Sequence, residues 1–182
     1  FVVSDSITSI LENNKDIKAF ASVVEERAFL QYKQRELIAF VKGVSDNYMS
    51  ITRIDSTLHN GQWLDSNYIN TAVIGFGISD KLSLSILNFG EPLEVKVPKA
   101  GKGLILNASS AYTGLEDFAN KYVYVNLRLA QKLLNYKTNQ VTAVEIKVQE
   151  NIDHHDFATA LQNELGDSYK VATKAQFNAI TY

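Results

Sequence analysis

Both ends of the chain carry the same order of local patterns, and this constrains the fold more than any other feature of the sequence. Near the N-terminus, apolar residues at helical spacing, among them Ile7 and Leu11, precede a long strand-like run, Ile17–Tyr32. Near the C-terminus, a helical stripe containing Leu161 ends at Gly166, and "SYKVATKAQF" after it predicts another strand. The matching ends indicate that they fold together, with the middle of the chain inserted between them.

We predict that strands from the two ends of the chain form one sheet. Ser4 or Asp5 suits the N-cap of the first helix, and the apolar run Leu37–Val41 after the long strand predicts a β-hairpin. Alternating apolar residues in "TAVEIKVQ" predict a half-buried strand over Val141–Val148. We expect this strand to lie in the same sheet as the strand after the first helix.

The middle of the chain has a mixed pattern, so the sequence as a whole predicts an α+β fold. Its predicted elements are strands over Thr71–Ile74, Leu93–Val97 and Tyr122–Val125, a short helix over Ile78–Leu84, and a helix in "NLRLAQKLLN" capped by Asn126. We expect residues 1–57 and 142–182 to form one subdomain. Residues 58–141 are expected to form an inserted mixed α/β subdomain.

Composition excludes several classes of protein. The 182 residues carry a net charge of -2, which argues against a general nucleic-acid-binding face. There is no cysteine, so disulfides, zinc–thiolate sites and thiol nucleophiles are excluded. No apolar run approaches the roughly 20 residues of a membrane helix, and no signal peptide is visible. Because the chain begins at Phe1 without a methionine, we expect it to be a fragment of a longer protein.

Two glycines follow the predicted strand Thr71–Ile74 and raise the question of a phosphate-binding loop. Gly75 and Gly77 lack the third glycine of the dinucleotide fingerprint, since position 80 is Asp, and no Gly-Lys-Ser/Thr follows them. A strand-to-helix turn that needs unusual backbone angles explains the pair better.

The segment "DHHD" raises the question of a metal site. His154 and His155 are adjacent and point about 100° apart on a helix, whereas zinc-binding helices use i, i+4 pairs. Asp153 as N-cap and Asp156 at the third helical position explain the segment as a variant capping box. There is also no nucleophile-elbow sequence. The sequence therefore predicts no catalytic residues, no metal ligands and no cofactor.

Four segments, taken in order, resemble a known family. They are "FVKGVSDNYMSIT", "TAVIGFGISDKLSL", "GEPLEVKVPKAG" and "KYVYVNLRLAQKLLNYKTNQVTAVEIKV". Each is weak alone, but their order and spacing from Val41 to Val148 are similar to those of the periplasmic domain of bacterial ABC-transporter permeases. The lipoprotein-releasing (LolC/LolE) family, within the wider MacB-like group, is the most similar.

The resemblance implies an α+β fold with a flank-built porter subdomain beside an inserted one. It implies a domain in the periplasm of an inner-membrane transporter that is not itself an enzyme. Separate cytoplasmic ATPase subunits would hydrolyse ATP, and a second permease subunit, identical or different, would complete the membrane part. The cargo would be a lipoprotein, passed to a periplasmic carrier, and the glycine pair would have no phosphate to bind.

The resemblance also suggests where a partner binds. In the family, a hairpin excursion after the "VPKAG" strand docks the carrier, so we expect partner contact at Pro98, Lys99, Gly101 and Lys102, with lysine charge attracting an acidic partner. An ordinary solvated turn is the alternative. The excursion itself is shorter here than in the family. We expect a segment to be missing between Asn107 and Ala108, with a genuine short deletion as the alternative.

Two other functions stay open at this point. One is a MacB-like efflux permease domain that docks a periplasmic adaptor. The other is a stand-alone hydrolase or ligand-binding domain, which an apolar pocket with converging polar groups would support.

Overall fold

The structure of the protein is a computed structural model, which describes residues 1–85, 91–98, 102–112 and 121–181. The helices are α1 (Asp5–Asn13), α2 (Phe76–Leu82), α3 (Leu127–Leu133), α4 (His154–Leu165) and α5 (Lys174–Thr181). The strands are β1 (Ile17–Tyr32), β2 (Arg35–Val44), β3 (Leu58–Gly61), β4 (Thr71–Gly75), β5 (Leu93–Val97), β6 (Lys102–Tyr112), β7 (Tyr122–Asn126) and β8 (Ala143–Val148). Short 3-10 turns follow β2 at Tyr48–Ser50 and precede β3 at Ile54–Thr57.

All eight strands belong to one sheet, and part of that sheet closes on itself. The order β2-β7-β4-β6-β5-β1 returns to β2, because β1 and β2 also pair as an antiparallel hairpin. The β2–β7 and β4–β6 pairs are parallel, and the other pairs of this ring are antiparallel. Strand β3 attaches to β6, and β8 lies beside β1. A closed ring leaves its strands few free edges for further pairing.

The position of β8 confirms that the late strand and the strand after the first helix share one sheet. The backbone N–H of Thr142 donates to the carbonyl of Val23 at 3.0 Å. The N–H of Glu25 donates in turn to Oγ1 of Thr142 at 2.7 Å.

The chain divides by contacts into two compact units. The larger comprises residues 1–3 and 21–145, and the smaller comprises residues 4–20 and 146–182. The two chain ends therefore share the smaller unit, while residues 21–57 belong with the middle of the chain. The division into residues 1–57 plus 142–182 around 58–141 stays a prediction about the intact protein.

In the larger unit, the sheet carries apolar clusters on both of its faces. One cluster joins the strands to helices α2 and α3 and includes Leu30, Ile74 and Leu129. The other lies beneath the segment from Tyr48 to Leu64 and includes Tyr124 and Trp63. Alternating residues of β1, such as Val23 and Val24, contribute to opposite clusters.

In the smaller unit, α1 and α4 bury Leu11 and Leu161. The caps follow the sequence: Ser4 accepts from the N–H of Ile7, and Asp153 accepts from the N–H of Asp156 at 2.9 Å. A small polar depression of about 170 Å³ lies along α4 and is lined by His155, Thr159, Gln162, Asn163, Gln176 and neighbouring apolar residues.

The strand predicted in "SYKVATKAQF" is wrong, because Lys174–Thr181 is helix α5 and the residues before it form no strand. The side chain of Gln162 donates to the carbonyls of Gly166 and Tyr169 and accepts from the N–H of Val171. These bonds occupy backbone groups that a sheet would need.

Another difference concerns the glycine pair after β4. Gly75 has φ -61° and Gly77 lies inside α2, so the glycine pair does not need the unusual backbone angles that we expected. Strand β6 runs through Asn107 and Ala108 without a break, and these residues pair with Thr71 and Ala72 of β4. The segment that we expected between Asn107 and Ala108 stays a prediction about the intact protein. Among the described residues, no helix combines the length and the apolar character that crossing a bilayer requires.

Candidate functional site

The predicted contact turn lies at one end of the β5–β6 pair. Val97 and Lys102 are antiparallel partners, so Pro98 and Lys102 stand at the two ends of the connection between these strands. Pro98 is exposed. Lys99 and Gly101 lie outside the described residues. The structure thus brings the described members of the predicted set together at a hairpin end, as their spacing requires.

Beside β5, the β1–β2 hairpin exposes two large apolar side chains that the sequence analysis did not single out. Phe29 and Ile38 are directly opposed partners and are 47% and 50% exposed. Lys96 of β5 is the partner of Phe29 on its other side. The alternation of a strand places Leu30 in the core and Phe29 outward, so this pair forms an uncovered apolar row on the sheet.

A lysine is buried farther along the same face of β2. Lys42 is only 4% exposed, and its Nζ donates to Oε1 of Glu145 at 3.0 Å. The ammonium also lies 4.9, 5.5 and 5.8 Å from the ring centroids of Tyr122, Tyr48 and Tyr124. An ammonium over ring faces is attracted by their quadrupoles, more strongly where water is excluded.

The strand register explains why these side chains meet. Lys42 is opposite Tyr124 in the parallel β2–β7 pair and opposite Glu25 in the β1–β2 hairpin. Tyr48 comes from the turn that follows β2, and Glu145 comes from β8. We call Glu25, Lys42, Tyr48, Tyr122, Tyr124 and Glu145 the lysine cluster.

Electrostatics inside the lysine cluster favour the neutral form of Tyr48. Burial, followed by the negative charge of Glu145, raises the pKa of the Tyr48 hydroxyl far above its ordinary value. Oε2 of Glu145 is buried and has no hydrogen-bond partner among the described residues. Because the Lys42 ammonium is held by a carboxylate and by ring faces, the cluster fits a structural role, joining β2, β7 and β8.

No cluster of three metal-binding side chains occurs in the part of the chain that the structure describes. His154 and His155 are exposed residues in the first turn of α4, where Asp153 caps the helix. The polar depression along α4 reaches His155 but gathers amide and hydroxyl side chains around it. The hydroxyl of Thr159 donates to the backbone carbonyl of His155 at 3.0 Å, and not to its imidazole, so the two side chains do not form a nucleophile–base pair.

The fold is similar to those of several solved structures. The extracellular domain of the ABC-type transporter YknZ from Gram-positive bacteria matches with a TM-score of 0.66 and 14% identity, covering 94% of this chain and 90% of its own. The periplasmic region of MacB from Actinobacillus actinomycetemcomitans matches with a TM-score of 0.60 and 10% identity, covering 86% and 70%. The chain has the fold of a MacB-like periplasmic domain. The sequence matches no protein-family model and no curated protein.

This likeness confirms the α+β prediction and, for the fold, the resemblance to permease domains. At such low identity the structural likeness establishes only the fold, because one fold can host unrelated functions.

Proposed function

We propose that this chain is the periplasmic domain of an ABC-transporter permease in a bacterial inner membrane. The observation that carries the proposal is the match to the YknZ extracellular domain over nearly the whole of both chains. The two domains share 94% and 90% of their lengths and not just a common core, which supports a similar setting for this chain.

Within that class, we propose release of lipoproteins from the inner membrane and their handover to a periplasmic carrier. The ordered segments between Val41 and Val148, which resemble the lipoprotein-releasing family, support this choice. ATP would be hydrolysed by cytoplasmic ATPase subunits, and a second permease subunit would complete the transporter. This domain would transmit the resulting motion, since well-packed protein cores shift between discrete arrangements and do not deform continuously.

A MacB-like efflux permease domain that docks an adaptor is the second candidate. The structural likeness to the periplasmic region of MacB favours it.

An in-frame deletion of these residues from the intact permease gene separates the two candidates. For lipoprotein release, we expect a triacylated reporter lipoprotein to accumulate in the inner membrane, measured by density-gradient separation of the two membranes. For efflux, the reporter would reach its normal membrane while resistance to an exported peptide or toxin falls. The proposal of a transporter domain is wrong if neither changes.

For partner contact, we propose the turn that contains Pro98, Lys99, Gly101 and Lys102. Two lysines within four positions give a local positive charge on a chain whose net charge is -2, which would speed encounter with an acidic carrier. Reversing both charges, with Lys99→Glu and Lys102→Glu, should lower the association rate of a purified carrier about tenfold at low salt and less at high salt.

The matched control reverses two exposed lysines elsewhere, Lys15 and Lys170, and so changes the net charge equally. Equal association rates for the two double variants would show that the turn is an ordinary solvated connection.

A further inference from the structure

The exposed face of the β1–β2 hairpin carries side chains in ordered rows across the strands. We call this surface the hairpin face. Its middle row is the apolar pair Ile38 and Phe29, with Lys96 beside it. The row nearer the hairpin turn contains Glu36, Gln31 and Glu94, which are partners in the same registers.

The third row lies on the other side of the apolar pair and has the opposite charge. Arg27 and Phe40 are cross-strand partners there, and Phe40 is followed on β7 by Tyr122. Arg27 is exposed. Lys121 lies 5.1 Å from the ring centroids of both Phe40 and Tyr122, which places its ammonium over this row. The hairpin face is therefore acidic, apolar and basic in succession.

We propose that the hairpin face binds the same face of a second copy of this chain, about a two-fold axis that runs along the Ile38–Phe29 row. A two-fold interface brings one patch against itself, so the patch must be complementary to its own rotated image. Rotation about this axis sets the acidic row of one copy opposite the basic row of the other. The apolar residues on the axis then face their own counterparts.

The charges fit this axis better than the perpendicular one. An axis along the strands would oppose Glu36 and Glu94 to the acidic row of the second copy, and like charges in contact are unfavourable. Lys96 faces its own counterpart at the edge of the proposed interface, but Glu94 lies 3.6 Å from its ammonium and offsets that repulsion.

Two exposed apolar residues per copy make a small interface, below the size of stable dimers. The pairing is therefore weak for free chains. The proposed pairing is argued from the hairpin face and does not depend on the proposed function. If the proposed function is correct, two permeases held in one membrane would raise the effective concentration of their domains and so strengthen the pairing.

Sedimentation velocity of the purified chain from about 10 µM to about 1 mM, the range in which weak pairs associate, measures the pairing. We expect the weight-average sedimentation coefficient to rise with concentration, and we expect Phe29→Asp to keep the chain monomeric. The control Tyr68→Asp changes an aromatic residue that is 64% exposed elsewhere and should leave the rise unchanged.

Charge exchange tests the pairing of the acidic row with the basic row. A variant with Glu36→Lys and Glu94→Lys, and another with Arg27→Glu and Lys121→Glu, should each stay monomeric, because like rows would meet. Mixed together they should form a heterodimer, and adding Phe29→Asp to one partner should abolish it. Heterodimers that survive Phe29→Asp would reveal general charge attraction and contradict the proposed pairing through the apolar row.

The absence of native cysteines allows one further readout. Ile38→Cys, which lies on the axis, should form a disulfide-linked dimer under mild oxidation much faster than Tyr68→Cys. A wild-type chain that stays monomeric to about 1 mM, together with equal cross-linking of the two variants, overturns the proposal and leaves the hairpin face to a different partner.

Discussion

At position 42, a lysine occupies a site that strand alternation would assign to an apolar side chain. Its charge is tolerated because Glu145 lies 3.0 Å away and tyrosine rings surround the rest of the ammonium. Glu145 is itself 35% exposed, so water screens part of the pair. Removing one partner of such a pair lowers stability, because the other charge is then buried without a counter-charge.

Lys42→Met should lower the free energy of unfolding by about 1–3 kcal/mol, because the carboxylate of Glu145 loses its counter-charge and one of its oxygens is already unsatisfied. Adding Glu145→Leu should restore part of the loss. Urea unfolding of both single variants and the double variant gives the coupling energy. Strictly additive losses would show that the two side chains do not stabilise each other.

The raised pKa of Tyr48 predicts a loss of stability in alkaline solution. The unfolded chain ionises this hydroxyl near its ordinary pKa of about 10, whereas burial keeps it neutral in the folded protein. The contribution is therefore complete below about pH 10 and is lost as the pH rises above that value toward the raised native pKa. The free energy of unfolding in urea, measured between about pH 8 and about pH 11, should fall less steeply for Tyr48→Phe than for the wild type; parallel curves would contradict this.

Among the elements, the contact of α3 with β2 depends on one missing side chain. A Cβ on Gly43 would meet Cβ of Ala130 at 2.4 Å and Cα of Leu127 at 3.3 Å. Gly43→Ala should therefore destabilise the protein by about 1–3 kcal/mol through overpacking. Combining it with Ala130→Gly should recover part of the loss despite the helix cost of glycine, which thermal unfolding can measure. No recovery would mean that the helix shifts away instead.

Most elements could be predicted from the sequence because their signals are local. The strand Ile17–Tyr32 has the predicted bounds. Ser4, Asn126 and Asp153 cap the helices that follow them, since each provides a side-chain oxygen at a helix start. Where the apolar pattern and the capping residues indicate the same element, tertiary contacts rarely change it.

Helix α5 differs from the sequence prediction although it also has a local signal. Thr173 and Gln176 form a capping box: the N–H of Gln176 donates to Oγ1 of Thr173 at 3.2 Å, and the N–H of Thr173 donates to Oε1 of Gln176 at 2.9 Å. The alternation in "SYKVATKAQF" favours a strand instead. The side chain of Gln162 hydrogen-bonds to backbone groups between Gly166 and Val171. These bonds favour the observed structure over the predicted strand.

The lysine cluster and the hairpin face could not be predicted from spacing. Both depend on which strands become neighbours, and the parallel β2–β7 pair joins segments far apart in the chain. A lysine inside the apolar run "AFVKGV" is the only local hint of the cluster. The predicted contact turn, by contrast, follows from a proline and glycines between two strands.

On the scale of the whole molecule, the pairing of β1 with β2 closes the ring and ties the N-terminal hairpin to the middle of the chain. The fold is similar to that of extracytoplasmic domains of ABC-type transporters. Under the proposed function, this chain would pass on motion that ATP hydrolysis starts in another subunit.

The most direct test of this mechanical role measures ATP hydrolysis and cargo release in the same vesicles. The intact permease and its ATPase would be reconstituted with a triacylated lipoprotein and a soluble carrier, with and without these residues. We predict that deleting them abolishes release of the lipoprotein to the carrier while ATP hydrolysis continues. Release that proceeds at the normal rate without this domain would contradict the proposed role.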